Sequence, residues 1–438
     1  MSRVRWPFSA TSALEISRAE GVYLYDAGGR PIIDAAGGAI VANIGHGRER
    51  VAAAMARAAQ QTSYVVPPWL TPARQALLDA LEPWLPPDFT RLHCTSGGTE
   101  ANEAAMKIAL HYQQAIGATR RTKILGRSIS YHGTTLATAA ISGHPGRKKG
   151  LEAALPHFPE APTPYPLRCP LGSHHPDSGA YYARATRQVI EAEGPETIAA
   201  LLCEPIIGSS GGAIVPPEDY WPHIRSLCDE FGILLIMDEV MTGFGRTGRT
   251  FGYQHWPIQP DLLVGGKGLA GGYAPLGAVF GTDHIAETIA AGDFPVMFNT
   301  FGGHPTACAA AAEVLNILEE EDLLARAAQQ GVYLHQRLQH TFSNHPHVAE
   351  VRGRGLFAAI EVISNRATLE PYPEHHALTA KIIKLGLDKG VFFYGGGNTQ
   401  VRDVICMGPP FVVTHAEIDQ IVMTLSQCVD EAIAQIRE

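Results

Sequence analysis

Two stretches, "TIAALLCEP" (197–205) and "GILLIMDEV" (232–240), constrain this chain most tightly. The centre of each, "IAALLC" and "ILLIM", is an apolar run of strand length with no polar residue on either face. A strand of this kind needs cover on both sides, which a parallel sheet with helices above and below supplies. Between them, "PEDYWPHIRSLCDEF" (217–231) reads as a helix. The alternation begins near Leu70. "ARQALLDALEPWL" (73–85) reads as a helix, "RLHCTSGG" (91–98) as a strand running into glycines, "TEANEAAMKIALHYQQAI" (99–116) as a helix, and "KILGRSISYHG" (123–133) as a strand and loop. The pattern predicts a doubly wound α/β unit on a mostly parallel sheet.

At 438 residues the chain is long for one domain. "GVYLYDAGGRPIID" (21–34) reads as a hairpin with a Gly-Gly turn, and "RERVAAAMARAAQQ" (48–61) as a helix. After Pro305 an Ala-rich helix leads into strands such as "GLFAAIEVI" and "GVFFYGG". These predict a smaller α/β domain built from both termini, residues 1–60 and 305–438, around a large domain at 61–304. "HFPEAPTPYPLRCPLGSHHPDSG" (157–179) is Pro-rich and aperiodic, hence a loop.

Charged residues are 18% and the net charge is −9, which argues against a nucleic-acid surface. The seven cysteines are scattered and form no CxxC, so neither a disulfide framework nor a zinc site is expected. A reducing, cytoplasmic setting fits. The first 21 residues hold no apolar stretch of the kind a secretory leader has, and no apolar run is long enough to span a bilayer. His174–His175 and His375–His376 lack the i, i+4 spacing of helical metal ligands and read as solvated; no metal is expected. "EEED" (319–322) reads as an exposed helix turn or end.

One motif misleads. Gly243, Gly245 and Gly248 in "GFGRTG" satisfy G-x-G-x-x-G after a strand. A dinucleotide site would then open a helix and place an acid about 20 residues on. Aromatics and prolines follow instead, with no Asp or Glu between Leu262 and Thr282.

Four pieces remain, each with two readings. Ser96-Gly97-Gly98-Thr99 joins a strand to a helix; it is either a phosphate cradle at a helix N-terminus or a plain capped helix start. Asp238 ends a buried strand and must be paired, either in a salt bridge or with a protonated ring nitrogen. Lys267 lies among glycines in "PDLLVGGKGLAGGYAPLG". It is either an exposed loop lysine or a desolvated amine with room for a flat cofactor beside it. Tyr131, in Tyr131-His132-Gly133, either stacks on a ring or packs structurally. Taken together the four describe pyridoxal 5′-phosphate, its phosphate at the helix, its nitrogen facing Asp238 and its aldehyde joined to Lys267.

These segments, with "NIGH", "EPIIGSSGG", "DEVMTGFGRTG", "NTFGGHPTACAAA" and "RGRGLFAAIEV", resemble the class III, fold type I aminotransferases over nearly the whole chain. The resemblance implies that Lys267 forms the Schiff base and Asp238 pairs with the pyridine nitrogen. Gly98 and Thr99 would hold the phosphate. Tyr131 would cover one face of the ring and Val240 the other, His132 would belong to the cofactor site, and Glu204 would support the Asp238 region. Thr300 would reach the phosphate of a neighbouring subunit, making the active unit a homodimer. The implied reaction is ping-pong transamination between an amine or amino acid and a keto acid. A racemase, decarboxylase or aminomutase would use the same residues, and a non-catalytic homologue would keep only the fold.

The resemblance also implies where the branch lies. Ornithine- and aminobutyrate-type members place an Arg three residues before the first Pro of the C-terminal Pro-Pro motif; here that position is Cys406. A thiol cannot make a bidentate carboxylate pair. This points to the ω-amine/ω-amino acid–pyruvate branch, in which some members use a mobile Arg slightly earlier. Thr399 holds that position, and Arg402, three residues on, is either the carboxylate ligand or a surface arginine. Trp69 and Tyr64 would give the substrate pocket an apolar side or serve packing.

Overall fold

The computed structural model describes residues 14–294 and 297–437. The start of the segment read above as lacking a leader's apolar stretch, residues 1–13, lies outside them. Fifteen strands form three sheets. In chain order they are β1 (Ile16–Glu20), β2 (Tyr23–Asp26), β3 (Pro31–Asp34), β4 (Arg91–Thr95), β5 (Lys123–Arg127), β6 (Glu160–Ala161), β7 (Ile198–Cys203) and β8 (Leu234–Asp238). β9 (Leu262–Gly265), β10 (Gly277–Gly281), β11 (Val348–Arg354), β12 (Phe357–Val362), β13 (Val391–Phe392), β14 (Tyr394–Gly396) and β15 (Val404–Met407) follow.

The central sheet runs β4-β10-β9-β8-β7-β5-β6. From β9 to β6 every pairing is parallel, and β10 alone runs antiparallel to both its neighbours. All residues of β7, β8 and β9 are buried, as their apolar runs require. Alternate side chains go to opposite faces. Leu202, Ile236 and Val264 meet Ala101 and Ala105 of the helix Gly98–Ala115 on one face. Leu201, Leu235 and Leu263 share the other face's core with Trp221 and Ile224 of the helix Tyr220–Phe231. That helix ends on Gly232 at φ 64°, a left-handed position that turns the chain straight into β8.

The other two sheets run β1-β2-β3-β13 and β11-β12-β15-β14. The hairpin expected at 21–34 is β2–β3, and the strand Val391–Phe392 from the far end of the chain joins it in parallel. The helix predicted over 73–85 stops at Leu81, because Pro83 has no N–H to extend it. The acidic run after it in the chain, Glu319–Asp322, sits at the end of the helix Pro305–Glu320, with Glu320 and Glu321 ion-paired to Arg50 and Arg48.

"GFGRTG" opens no long helix. It serves as a junction: Arg246 is buried and donates to the carbonyls of Ala42, Leu356 and Pro409 at 3.1, 3.1 and 2.7 Å. One side chain thus ties the central sheet's loop to segments near both ends of the chain.

β10 carries a tight constraint. A Cβ added at Gly277 would lie 2.4 Å from the carbonyl oxygen of Gly97. We predict that Gly277→Ala destabilises the protein by about 1–3 kcal/mol through overpacking. Urea unfolding followed by circular dichroism checks this; an unchanged midpoint would contradict the close packing of β10 on the turn after β4.

Candidate active site

Ligands in open α/β sheets bind beyond the carboxyl ends of the strands. Here β4 ends at Thr95 and passes through Ser96 and Gly97 into the helix starting at Gly98. β7 ends one residue before Glu204, β8 ends on Asp238, and β9 ends two residues before Lys267. Tyr131 and His132 lie on the loop after β5. These strand ends enclose a cavity of about 180 Å3 that Gly98, Thr99, Tyr131, His132, Glu204, Asp238, Val240 and Lys267 all line. Eight residues singled out from the sequence therefore meet in one place.

Asp238 is 3% exposed. Its Oδ2 accepts from Asn102 Nδ2 and His132 Nδ1, each at 2.8 Å, and its Oδ1 accepts from the backbone N–H of Val240 at 3.0 Å. An ionised carboxylate only accepts, so His132 carries its hydrogen on Nδ1. Asn102 Nδ2 also donates to the His132 carbonyl, fixing the loop from which that ring projects. His132 Nε2 and Asn102 Oδ1 are buried without a hydrogen-bond partner among the described residues.

Lys267 is folded at φ 40°, the left-handed region that a side chain enters only under constraint from its surroundings. Gly265 and Gly266 on one side and Gly268 on the other permit that turn. Its Nζ donates to the carbonyl of Ala39 at 2.9 Å. Burial lowers its pKa to about 8, against the opposing pull of Asp238 and Glu204. A neutral amine is therefore within reach near physiological pH.

Glu204 bridges two walls of the cavity. Its Oε2 accepts from the Tyr131 N–H at 3.2 Å and its Oε1 from the Gly208 N–H at 2.8 Å. Burial raises its pKa. Gly98 lies against Val240, where an added Cβ would come within 2.8 Å of Val240 Cγ1. Gly133, at φ 148°, permits equally close approach, since a Cβ there would meet Thr99 Oγ1 at 2.6 Å.

Other candidate residues lie elsewhere. Trp69 is 66% exposed and lines a separate, largely apolar cleft of about 350 Å3 with Leu70, Met297 and Phe298. Tyr64 and Thr300 are exposed and do not line the Lys267 cavity. Arg402 lies in another cleft, donating to the Tyr372 carbonyl at 3.3 Å and lying 3.9 Å from Glu374. Cys406 is buried in β15. The residues that sequence reasoning missed are Asn102 and the Ala39 carbonyl, with Ser209 and Thr242 on the cavity wall. A polar residue among the buried alanines 101, 104 and 105 was the available signal for Asn102. A backbone carbonyl leaves none.

The sequence pattern of the family described as Aminotransferase class-III matches residues 8–429. The chain belongs to this family. It is 34% identical to the putrescine–pyruvate aminotransferase of Pseudomonas aeruginosa, over 96% of this chain and 91% of that one. Its structure is similar to a thermostable (S)-enantioselective ω-transaminase from Thermomicrobium roseum, with a TM-score of 0.91 and 36% identity over 97% and 96% of the two chains. It is likewise similar to the ω-transaminase of Pseudomonas jessenii in complex with PMP, with a TM-score of 0.91 and 32% identity over 98% and 97%. The architecture is that of the fold type I enzymes, as the resemblance implied.

Class III aminotransferases depend on pyridoxal 5′-phosphate, and the cavity suits it. The helix N-terminus at Gly98 and Thr99 lies on one wall, a desolvated amine opens onto the space, and a buried carboxylate held by three donors lies on another. Two buried polar atoms there lack protein partners.

Lys267 also yields a stability test. Below about pH 8 the folded chain carries the buried charge, so Lys267→Met should stabilise the cofactor-free protein there. Above that pH the folded chain loses the proton before the unfolded chain does, whose lysine titrates near about 10.4. Wild-type stability then rises with pH and the advantage of Lys267→Met shrinks. Urea midpoints of both proteins at about pH 7 and about pH 9.5 check this; a constant difference would contradict the lowered pKa.

Proposed function

We propose that this aminotransferase moves an amino group from an amine or ω-amino acid to pyruvate or another small keto acid in a ping-pong sequence. The observation that carries the reading is the enclosure, in one cavity, of a desolvated Lys267 amine and a donor-saturated Asp238 carboxylate. The pyruvate-using relative and the ω-transaminase structures support this choice of substrates, as does Cys406 in place of the arginine of ornithine-type members.

Pyridoxal phosphate, when bound, supplies an aldehyde for the substrate amine and a ring that accepts electrons from the substrate carbon. We assign Lys267 as the residue that would hold it covalently at rest and whose free Nζ would take up and release a proton beside the substrate. Its lowered pKa suits an amine that must both take and give a proton. Asp238, fixed by Asn102, His132 and the Val240 N–H, would accept from the protonated ring nitrogen. Gly98 and Thr99 would hold the phosphate with the helix N-terminus. Tyr131 and Val240 would flank the ring, and Glu204 holds the Tyr131 backbone in place.

The proposal extends to a homodimer in which Thr300 completes the neighbouring phosphate site. Trp69, Leu70, Phe298 and Phe301, between 57% and 66% exposed, form the apolar surface beside Thr300 that a second copy would cover. Residues 61–304 would act as the cofactor-holding domain, with 1–60 and 305–438 as the smaller one. We place the protein in a reducing, cytoplasmic setting, in keeping with its seven free cysteines.

Absorbance spectroscopy tests the function. The purified protein should show a visible cofactor band that a donor such as putrescine or taurine bleaches and pyruvate restores. Lys267→Ala should lose the turnover by at least a factor of about 10³. A band that donors change without any keto-acid dependence would favour racemase, decarboxylase or aminomutase chemistry. The absence of a band after adding pyridoxal phosphate would favour a non-catalytic protein.

A further inference from the structure

A keto acid brings a carboxylate to the site, and a carboxylate leaving water needs donors, which a cation with N–H groups to spare supplies most strongly. Position 406 cannot supply one. The Cys406 thiol is sealed in β15, its pKa raised by burial to about 12, and its Sγ faces Gly396, where an added Cβ would lie 2.6 Å away. Arg402 is turned toward Tyr372 and Glu374. Arg246 is buried, with its guanidinium on three backbone carbonyls.

Arg147 stands apart from these. It lies in the short helical turn Pro145–Lys148, and its guanidinium carbon sits 4.8 Å from the ring centroid of Tyr131. Tyr131 is a wall of the Lys267 cavity. Among the described residues Arg147 has no carboxylate within ion-pairing range and its guanidinium makes no hydrogen bond. The adjacent Lys148, by contrast, is paired with Glu160 at 3.2 Å. Arg147 also lies within electrostatic reach of Tyr394 and His144. An arginine stacked on an aromatic face keeps its N–H groups free for a bidentate acceptor. The turn bearing it is tied to the same wall: Asn398 Nδ2 donates to the Gly143 carbonyl at 3.0 Å, and the neighbouring Gly397 N–H donates at 2.6 Å to the carbonyl of Ser209, which lines the cavity.

We infer that Arg147 is the anion receptor of this site, binding the carboxylate of the keto acid acceptor, and the acid group of an ω-amino acid donor, on the Tyr131 side of the cavity. The inference rests on the transaminase reading above and names the group that recognises its acidic substrates. Arg147 makes this chain's preference for small acids a property of the segment between β5 and β6, rather than of β15.

The test compares pyruvate with acetaldehyde, which is pyruvate without its carboxylate. Arg147→Met should lower the ratio of kcat/KM for pyruvate over acetaldehyde by about 10- to 100-fold, chiefly through KM for pyruvate. Arg147→Lys should restore part of the ratio. An equal loss on both acceptors would mean that Arg147 only steadies Tyr131, and would overturn the inference, as would an unchanged ratio. A selective loss on pyruvate in Arg402→Ala, with none in Arg147→Met, would assign the role to Arg402 and also overturn it. Calorimetry with propionate, which cannot react, gives an independent reading on the holoenzyme. Binding weakened about 10-fold or more in Arg147→Met supports the inference, and equal binding overturns it. Should the wild-type protein move no amino group to pyruvate, the transaminase reading fails, while propionate binding still decides whether Arg147 holds carboxylates.

Discussion

A carboxylate taken out of water must be surrounded by donors, and Asp238 imposes that demand at the centre of this protein. Three donors meet it: the Asn102 side chain, the His132 ring and the Val240 N–H. They come from the second turn of the helix after β4, from the loop after β5 and from the residue pair beyond β8. Satisfying one buried charge therefore fixes three strand ends relative to one another. The cavity is the space those ends leave, and Lys267 enters it from the fourth, β9. The fold supplies the frame, and the carboxylate sets how its pieces register at the end where chemistry occurs.

Much of this was legible because burial writes itself into composition. The apolar runs of β7, β8 and β9 required a covered sheet, and Asp238 and Lys267 stood out as the polar residues just at or beyond their ends. Ser96-Gly97-Gly98-Thr99 was legible as a strand-to-helix turn with little side chain in it. The antiparallel direction of β10 was not, because "GAVFG" is equally apolar read either way along a covered sheet. Asn102 escaped notice because a polar residue near a helix start usually faces water. Ala39 contributes only a carbonyl, which carries no residue type. The surroundings of Arg402 and Arg147 depend on how loops of distant origin fold over the strand ends, and no local pattern encodes that.

The two arginines of contrasting fate illustrate what a guanidinium does when it lacks a carboxylate. Arg246 is buried and spends its donors on backbone carbonyls from three segments, with its pKa lowered by burial to about 9. It acts as a fastener, and the glycines around it make room for the closure. Arg147 is exposed, rests on a tyrosine face and leaves its donors to solvent. The difference is one of access, and access separates a structural cation from one available to a ligand.

The hydrogen bond from Lys267 to Ala39 joins residues 228 apart in the chain. The cavity walls come from segments spread between these two, so contact order at the site is high. No shorter stretch of the growing chain can assemble the pocket, and capture of the cofactor has to follow synthesis and collapse of at least the first 267 residues. The lysine's position, late in the central sheet and latched to a turn near the start, makes closure of the pocket a late step in assembling that sheet.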